Sequence, residues 1–399
     1  MVGRVIELEE EIARSIPSTE FDEETALALY HGSHIEVDFP NPPNDQCYVL
    51  RSRGYVGQIP VAEDSILIRI SPKVPILNLF RMLEYAYDLK SFQLLEGMST
   101  VDSLDDLFEN LAAILAKRVL DRVRKGLYCD YIIDEESLSY IRGQIKVMPS
   151  LRAAMRGSTR LECEYEEHTP NVDDNRILAW TLYQLPRFRL KREDVQHHVR
   201  QAYRALASTV DVKSLEPRVC INRFYHRLND DYRPMHGLCR FFLEHCGPGI
   251  EVGEHEFIPF VLHMPILFES FVAKWLQANL PTGIRLETQY KADLDEDGMF
   301  VFRIDLVLID VASDSVLAVL DTKYKRKERP DVADIQQIVA YAVRMNTQKA
   351  ILIYPSTDTQ AVILKVGEVN ICSIIFDIGV DPDEAGRSFL EKLMAVVKP

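Results

Sequence analysis

Asp305 is followed, one hairpin's length later, by Asp321-Thr322-Lys323. Two carboxylates and an ammonium at this spacing can hold a hard divalent cation against a phosphate and offset the charge that develops as water attacks phosphorus. Mg²⁺ takes oxygen ligands and retains several waters, so the carboxylates and the backbone carbonyl of Thr322 would suffice to bind it. Lys323 would orient the attacking water and stabilise the phosphorane. The chemistry to expect is phosphodiester hydrolysis, with DNA as the substrate.

The neighbouring residues dictate how these groups are placed. The run 300–309 (FVFRIDLVLI) and the run 316–324 (VLAVLDTKY) are rich in β-branched and aromatic residues, so both read as buried strands. Ala312-Ser313-Asp314 between them is a turn-forming cluster. The pair is therefore an antiparallel hairpin with Asp305 and Asp321 on adjacent strands. Because strand side chains alternate faces, Asp321 and Lys323 share one face and Thr322 points to the other.

An acid and a lysine two residues apart recur by chance in many strands; the flanking elements give this pair its weight. Residues 265–276 carry apolar side chains at helical spacing, with Pro265 in the first turn. Glu269 lies in this helix, either as an ordinary first-turn acid favoured by the helix dipole or as a further ligand. Residues 330–342 read as a second helix, 285–292 as a first strand and 349–354 as a last one. The order is helix, three strands, helix, strand.

In that order and in its motifs the C-terminal third resembles the PD-(D/E)xK nuclease superfamily. The whole chain resembles the McrC family, the nuclease subunits of McrBC modification-dependent (5-methylcytosine) restriction systems. The family's D-(A/T)-K-Y/W-K segment corresponds to Asp321-Thr322-Lys323-Tyr324-Lys325, and its Q-x-x-A-Y segment to Gln337-Ile338-Val339-Ala340-Tyr341. Where the family has proline before the first acid, this chain has Ile304, a departure that removes no ligand. Gly57, the run 66–73, the run 78–88, Arg142-Gly143-Gln144 and the run 174–178 extend the resemblance over most of the chain.

The resemblance implies Asp305, Asp321, Lys323, Glu269 and Gln337 as catalytic residues. It implies Asp305, Asp321, Thr322 and Glu269 around Mg²⁺, with Mn²⁺ able to substitute, and in-line attack that leaves a 5′-phosphate. It also implies a McrB-like AAA+ GTPase ring as partner. The sequence contains no G-x-x-x-x-G-K-[ST], so GTP would be bound by that partner and not by this chain. Recognition of modified cytosine in double-stranded DNA would then fall to the partner, leaving this subunit to read the DNA backbone. Cutting both strands needs two active sites, which implies transient dimerisation of complexes.

Composition fits a multidomain enzyme. At 399 residues with 47% hydrophobic residues, the chain is long enough for two or three cores. No run reaches the length of a membrane span, and acids stand where a signal peptide would be basic and apolar, so no membrane association and a cytoplasmic location are expected. Seven cysteines without a C-x-x-C pair point to reduced core residues. The ten histidines form no metal-ligand pattern, and no G-x-S-x-G elbow is present. A net charge of −15 is unusual for a DNA binder, but the distribution is uneven. Arg142, Lys146, Arg152, Arg156 and Arg160 follow one another without an intervening acid; Arg187, Arg189, Lys191 and Arg192 form a second cluster, and Lys325, Arg326, Lys327 and Arg329 a third.

The expected fold is a multidomain α+β or α/β protein. Residues 1–97 would form a β-rich module with one helix at 77–87, contacting the AAA+ partner. Residues 98–250 would form a mainly helical region, with long helical patterns at 103–126 and 175–209, and with partner and DNA contacts. Residues 251–399 would form a PD-(D/E)xK restriction-endonuclease-like core, an αβββαβ mixed sheet flanked by helices. Gly247-Pro248-Gly249 marks the last boundary. The acid-rich start, 7–24, would be a solvated helix or a partner contact. Two other readings fit the same residues: a regulatory adaptor of an AAA+ ring with a vestigial nuclease domain, and an RNA-directed or structure-specific nuclease.

Overall fold

The computed structural model describes the chain except residues 1–3, 42–45, 62–65, 90–102, 189, 246–259, 294–298, 326–328, 357–360 and 398–399. The glycine-proline boundary at 247–249, Arg189, Arg326 and Lys327 fall outside the described residues. The architecture is mixed α and β, with four sheets and ten α-helices among the described residues. Two compact units are present, Met1–Leu107 together with Gly253–Pro399, and Phe108–Val252.

The first unit opens with β1 (Arg4–Glu9), β2 (Arg14–Pro17), α1 (Glu23–His31), β3 (Ile35–Asp38), β4 (Cys47–Ser52), β5 (Tyr55–Val61), β6 (Ile66–Ser71) and α2 (Ile76–Ala86). The acid-rich start is strand, not helix. Ile6 and Leu8 are buried, while Glu7 and Glu9 take the outward face, a period of two that only a strand satisfies. Helix begins at Glu23, where the Asp22 side chain caps the Thr25 N–H at 2.7 Å.

The second unit follows, with α3 (Leu104–Lys125) leading into β7 (Asp130–Leu138), β8 (Gln144–Ile145), α4 (Val147–Met155), β9 (Leu161–Thr169), α5 (Asp173–Gln184), α6 (Glu193–Ala207) and α7 (Tyr232–His245). The helical pattern across 175–209 is split in two by a 3₁₀ turn at Leu185–Arg187; Pro186 has no N–H to continue the ladder. Within this unit Asn175 is fully buried. It donates to the carbonyls of Tyr128 and Pro170 at 2.8 and 2.7 Å and accepts from the Tyr232 hydroxyl at 2.6 Å. Asp174 beside it pairs with Arg223 at 2.6 Å, so this pair of polar residues ties loops to α5.

The chain returns to the first unit with β10 (Val261–His263), α8 (Met264–Asn279), β11 (Ile284–Asp293), β12 (Val301–Asp310), β13 (Val316–Thr322), α9 (Val332–Arg344), β14 (Lys349–Tyr354), β15 (Ile363–Val366), β16 (Val369–Ile375) and α10 (Pro382–Val397). The six-stranded sheet has the order β11-β12-β13-β14-β16-β15. Its first three strands are antiparallel, β13 and β14 are parallel, and α9 makes the crossover between them. One face carries a core of Ile304, Val307, Val319, Ile338, Ala350 and Leu352.

The N-terminal strands and this sheet share one unit because β10 adds to β5 across a long sequence separation. Gly57 permits that approach: its φ is +131°, and a Cβ there would come within 2.1 Å of the Phe260 carbonyl oxygen. On α8, Phe271 meets Tyr85 of α2 at 5.5 Å, and Trp275 packs edge-on to Phe376 at 5.3 Å. Gly386 on α10 lies under the Trp275 ring, where a Cβ would clash at 2.1 Å. The helix carrying Glu269 is thereby fixed by the N-terminal half of the unit at its start and along its face.

Candidate active site

Strands β12 and β13 are paired as far as Leu306↔Leu320 and separate at the next residues, Asp305 and Asp321. Asp305 takes over the role of the lost ladder acceptor. Its Oδ2 accepts from the Thr322 backbone N–H and from the Thr322 hydroxyl, each at 3.1 Å. Thr322 therefore does more than offer a carbonyl, since its hydroxyl and N–H orient the first acid.

On the other side β13 stays paired with β14 through Thr322↔Ile353, and the Lys323 N–H donates to the Ile353 carbonyl at 2.8 Å. This holds the Lys323 backbone at the mouth of the opened strands. Lys323 Nζ lies 2.6 Å from Asp321 Oδ2 and 3.8 Å from Asp334 Oδ1, and donates to Gln337 Oε1 at 3.0 Å. Gln337 Nε2 in turn donates to the Tyr341 hydroxyl at 2.7 Å, a bond across one turn of α9. Tyr341 is held edge-on to Phe302 at 5.2 Å.

Glu269 reaches the same acids from α8. Burial, and then the Asp305 carboxylate, push its pKa up to about 7. Asp321, at 1% exposure, is likewise pushed up to about 7 by burial first and Asp305 second, against the pull of Lys323. Asp305 thus lies near enough to both Glu269 and Asp321 for its charge to raise their pKa, and Lys323 stands against Asp321.

Among the described residues no three acidic, histidine or cysteine side chains are close enough to enclose a metal by themselves. The groups present fit an ion held by one or two carboxylates, with the rest of its shell water and phosphate, as Mg²⁺ is commonly held. Asp321 Oδ2 supports that fit: it is buried and, although close to Lys323, has no donor aligned on it as a hydrogen bond.

Of the residues singled out in the sequence, Asp321, Lys323 and Gln337 form one connected chain. Asp305 and Thr322 form a bonded pair, and Glu269 feels the charge of Asp305. The sequence reading missed Asp334 and Gln289. Asp334 is buried and grips Lys325 Nζ at 3.0 and 3.1 Å; an acid in the first turn of a helix signals a dipole partner and hides this second role. Gln289 Nε2 donates to Glu269, and nothing in its sequence context marks it. The same geometry reduces the number of cations free for phosphate. Lys325 also reaches Asp331 at 3.3 Å. In the middle unit Lys146 pairs with Glu135 and Glu164, and Arg142 lies 3.6 Å over the Tyr165 ring. The six described cysteines are unbridged, and among the described residues no helix is long and apolar enough to cross a membrane.

Comparison with known proteins agrees with the resemblance read from the motifs. A curated relative, the type IV methyl-directed restriction enzyme EcoKMcrBC of Escherichia coli (strain K12), is 21% identical over 313 residues, 72% of this chain and 88% of the relative. A chain in the refined half-complex of the tetradecameric assembly of Thermococcus gammatolerans McrB AAA+ hexamers with bound McrC superposes with a TM-score of 0.58 at 19% identity. That superposition covers 98% of this chain and 100% of the other, and shows a shared fold. The family model described as McrBC 5-methylcytosine restriction system component matches residues 50–355, a stretch that contains Glu269, Asp305, Asp321, Lys323 and Gln337. The chain belongs to this family of McrBC 5-methylcytosine restriction system components.

Proposed function

We propose that the chain is the endonuclease subunit of a McrBC-type restriction complex, hydrolysing phosphodiester bonds in double-stranded DNA that carries modified cytosine. The observation that carries this reading is the pairing of Lys323 with Asp321 at 2.6 Å, where β12 and β13 part and beside Asp305. The order α8, β11, β12, β13, α9, β14 supports a PD-(D/E)xK core. The name of the Escherichia coli relative, a methyl-directed restriction enzyme, supports modified DNA as the substrate.

Mg²⁺ would be held by one or two of the carboxylates of Asp305, Asp321 and Glu269, with the carbonyl of Thr322 and water available to the rest of its shell, and when bound it supplies charge stabilisation of the scissile phosphate and a more acidic water. Asp305 is kept in place by Thr322, and Asp321 is kept in place by Lys323. Lys323, with Gln337 as its second partner, positions the attacking water and offsets charge on the phosphorane. Gln337 is anchored by Tyr341, so the ammonium is fixed from two sides. The charge of Asp305 acts on both Glu269 and Asp321, a repulsion that a bound cation would offset.

The AAA+ partner is a McrB-like GTPase ring, by analogy with the Thermococcus gammatolerans complex of McrB hexamers with bound McrC. We assign residues 1–97 and 98–250 to contacts with that ring, whose GTP hydrolysis they stimulate. The middle unit supports this with an exposed apolar surface on β7, β8 and α4 that includes Ile133, Ile145, Val147, Met148 and Met155.

The test is Mg²⁺-dependent cleavage of cytosine-methylated and unmethylated plasmid by the chain with its AAA+ partner and GTP. Wild type, Asp321→Ala and Lys323→Ala would be compared. Cleavage of the methylated plasmid alone, lost by at least 100-fold in both variants while the complex still assembles, supports the reading. Stimulated GTP hydrolysis without any DNA cleavage by wild type would refute it in favour of an adaptor role.

A further inference from the structure

Gln289 occupies an unusual backbone position in β11. The pairs Thr288↔Leu306 and Tyr290↔Ile304 flank it, which places it opposite Asp305 in the ladder. Its φ is +51°, in the left-handed region that side chains other than glycine, asparagine and aspartate rarely enter. A glutamine kept there inside a paired strand has to be held by its surroundings, and such residues gather at functional sites. Its side chain shows what holds it: Nε2 donates to Oε1 of Glu269 on α8.

That contact joins α8 to β11 at the site. Glu269 stands on a helix, Asp305 on a strand, and their carboxylates repel. A carboxylate in that situation turns away from its neighbour unless one oxygen is pinned by a donor. Gln289 supplies the donor from the residue opposite Asp305, so the same strand position sets the distance between the two acids. Glutamine suits this task because its amide is neutral and does not compete with a cation for the acids, as lysine or arginine would.

We propose that Gln289 is a positioning residue of the metal site, fixing the Glu269 carboxylate beside Asp305 through its amide N–H and its left-handed backbone. This rests on the metal-nuclease reading above. Partners that orient metal ligands typically contribute 10- to 100-fold in metal affinity, and a contribution of that kind is expected here.

The experiment is Mn²⁺ titration of the full chain by calorimetry at fixed pH, with wild type, Gln289→Ala, Gln289→Gly, Glu269→Gln, the Gln289→Ala/Glu269→Gln double variant and Asp321→Ala. Thermal melts report folding, and Gln289→Gly keeps the backbone conformation if alanine disturbs it. Gln289→Ala and Gln289→Gly are both expected to weaken Mn²⁺ binding by about 10-fold or more. The Mn²⁺ concentration for half-maximal cleavage by the assembled complex should rise by the same factor. In the Glu269→Gln background, Gln289→Ala should add no further loss, because its effect passes through Glu269. Wild-type affinity in Gln289→Gly, or a full additional loss in the double variant, overturns the inference while Asp321→Ala still abolishes binding. If Asp321→Ala binds Mn²⁺ as wild type does, the metal-site reading fails and this inference with it.

Discussion

Asp305 receives two hydrogen bonds from Thr322, one from the backbone and one from the hydroxyl, both 3.1 Å long and both on the same carboxylate oxygen. The acid is thereby tied to the strand that carries the second acid and the lysine. Thr322→Val keeps the N–H bond and removes the other. Cleavage is expected to fall about 10-fold, as for loss of a ligand-orienting partner, with a stability loss of about 1 kcal/mol. Rates on methylated plasmid and urea unfolding would check this, and unchanged cleavage would remove Thr322 from the orienting role.

Asp321 sets function against stability. Its carboxylate is buried beside Asp305, so its charged form is disfavoured in the metal-free fold. Asp321→Asn should abolish cleavage and, without metal, raise unfolding free energy at pH 8 by about 1–3 kcal/mol, and by a smaller amount at pH 5, where the unfolded aspartate is already ionised and the folded one still protonated. Denaturant titrations at the two pH values in the presence of chelator would decide it. A destabilised variant at pH 8 would mean that the Lys323 pairing outweighs burial.

Metal binding should depend on pH. Asp321 and Glu269 both titrate near pH 7 in the metal-free protein and must lose their protons to bind a cation. Affinity for Mn²⁺ is therefore expected to fall about 10-fold per pH unit for each proton displaced, from pH 7 downward. Calorimetry in buffers of differing ionisation enthalpy would count the protons released; a value of zero would contradict the shifts.

Glu10 offers a test away from Asp305 and Asp321. It is 2% exposed. Its Oε2 accepts from the Lys73 N–H and the Tyr324 hydroxyl at 3.2 Å each, while Oε1 is buried without a partner. Burial foremost pushes its pKa up to about 7. Between about pH 4.5 and 7 the folded state holds a proton that the unfolded chain has released, so stability falls as pH rises through that window. Glu10→Gln should remove part of this slope and stabilise at pH 8 by about 1–2 kcal/mol relative to pH 5. Melting temperatures of both proteins across pH 5 to 8 would show it, and parallel curves would exclude Glu10 as a contributor.

The C-terminal third was legible because its elements are long and strongly patterned. Two apolar strands around a turn and helices with regular apolar spacing appear where the sequence placed them, as β12, β13, α8 and α9. Of the two readings of the acid-rich start, a solvated helix or a partner contact, the helix does not hold for its first residues, where the alternation of Ile6 and Leu8 with Glu7 and Glu9 makes β1. Strand β5 carries Gly57 and Pro60, which weaken a strand signal; Gly57 is tolerated where β10 packs close, and Pro60 lies beyond the residues that pair with β10. The pattern at 175–209 ran through Pro186, and the helix did not.

The sequence by itself determined which chemical groups are present and their order along the chain: Asp305, Asp321 and Lys323 on a hairpin, Glu269 on the preceding helix and Gln337 on the following one. Periodicity is local, so these placements needed no knowledge of distant contacts. Only the tertiary structure decided that the strands part at the two acids, that Asp334 holds Lys325, and that Gln289 in a left-handed conformation reaches Glu269. Those relationships depend on where a sheet ends and how a helix leans on it. They follow from packing between residues far apart in the chain, which no local pattern encodes.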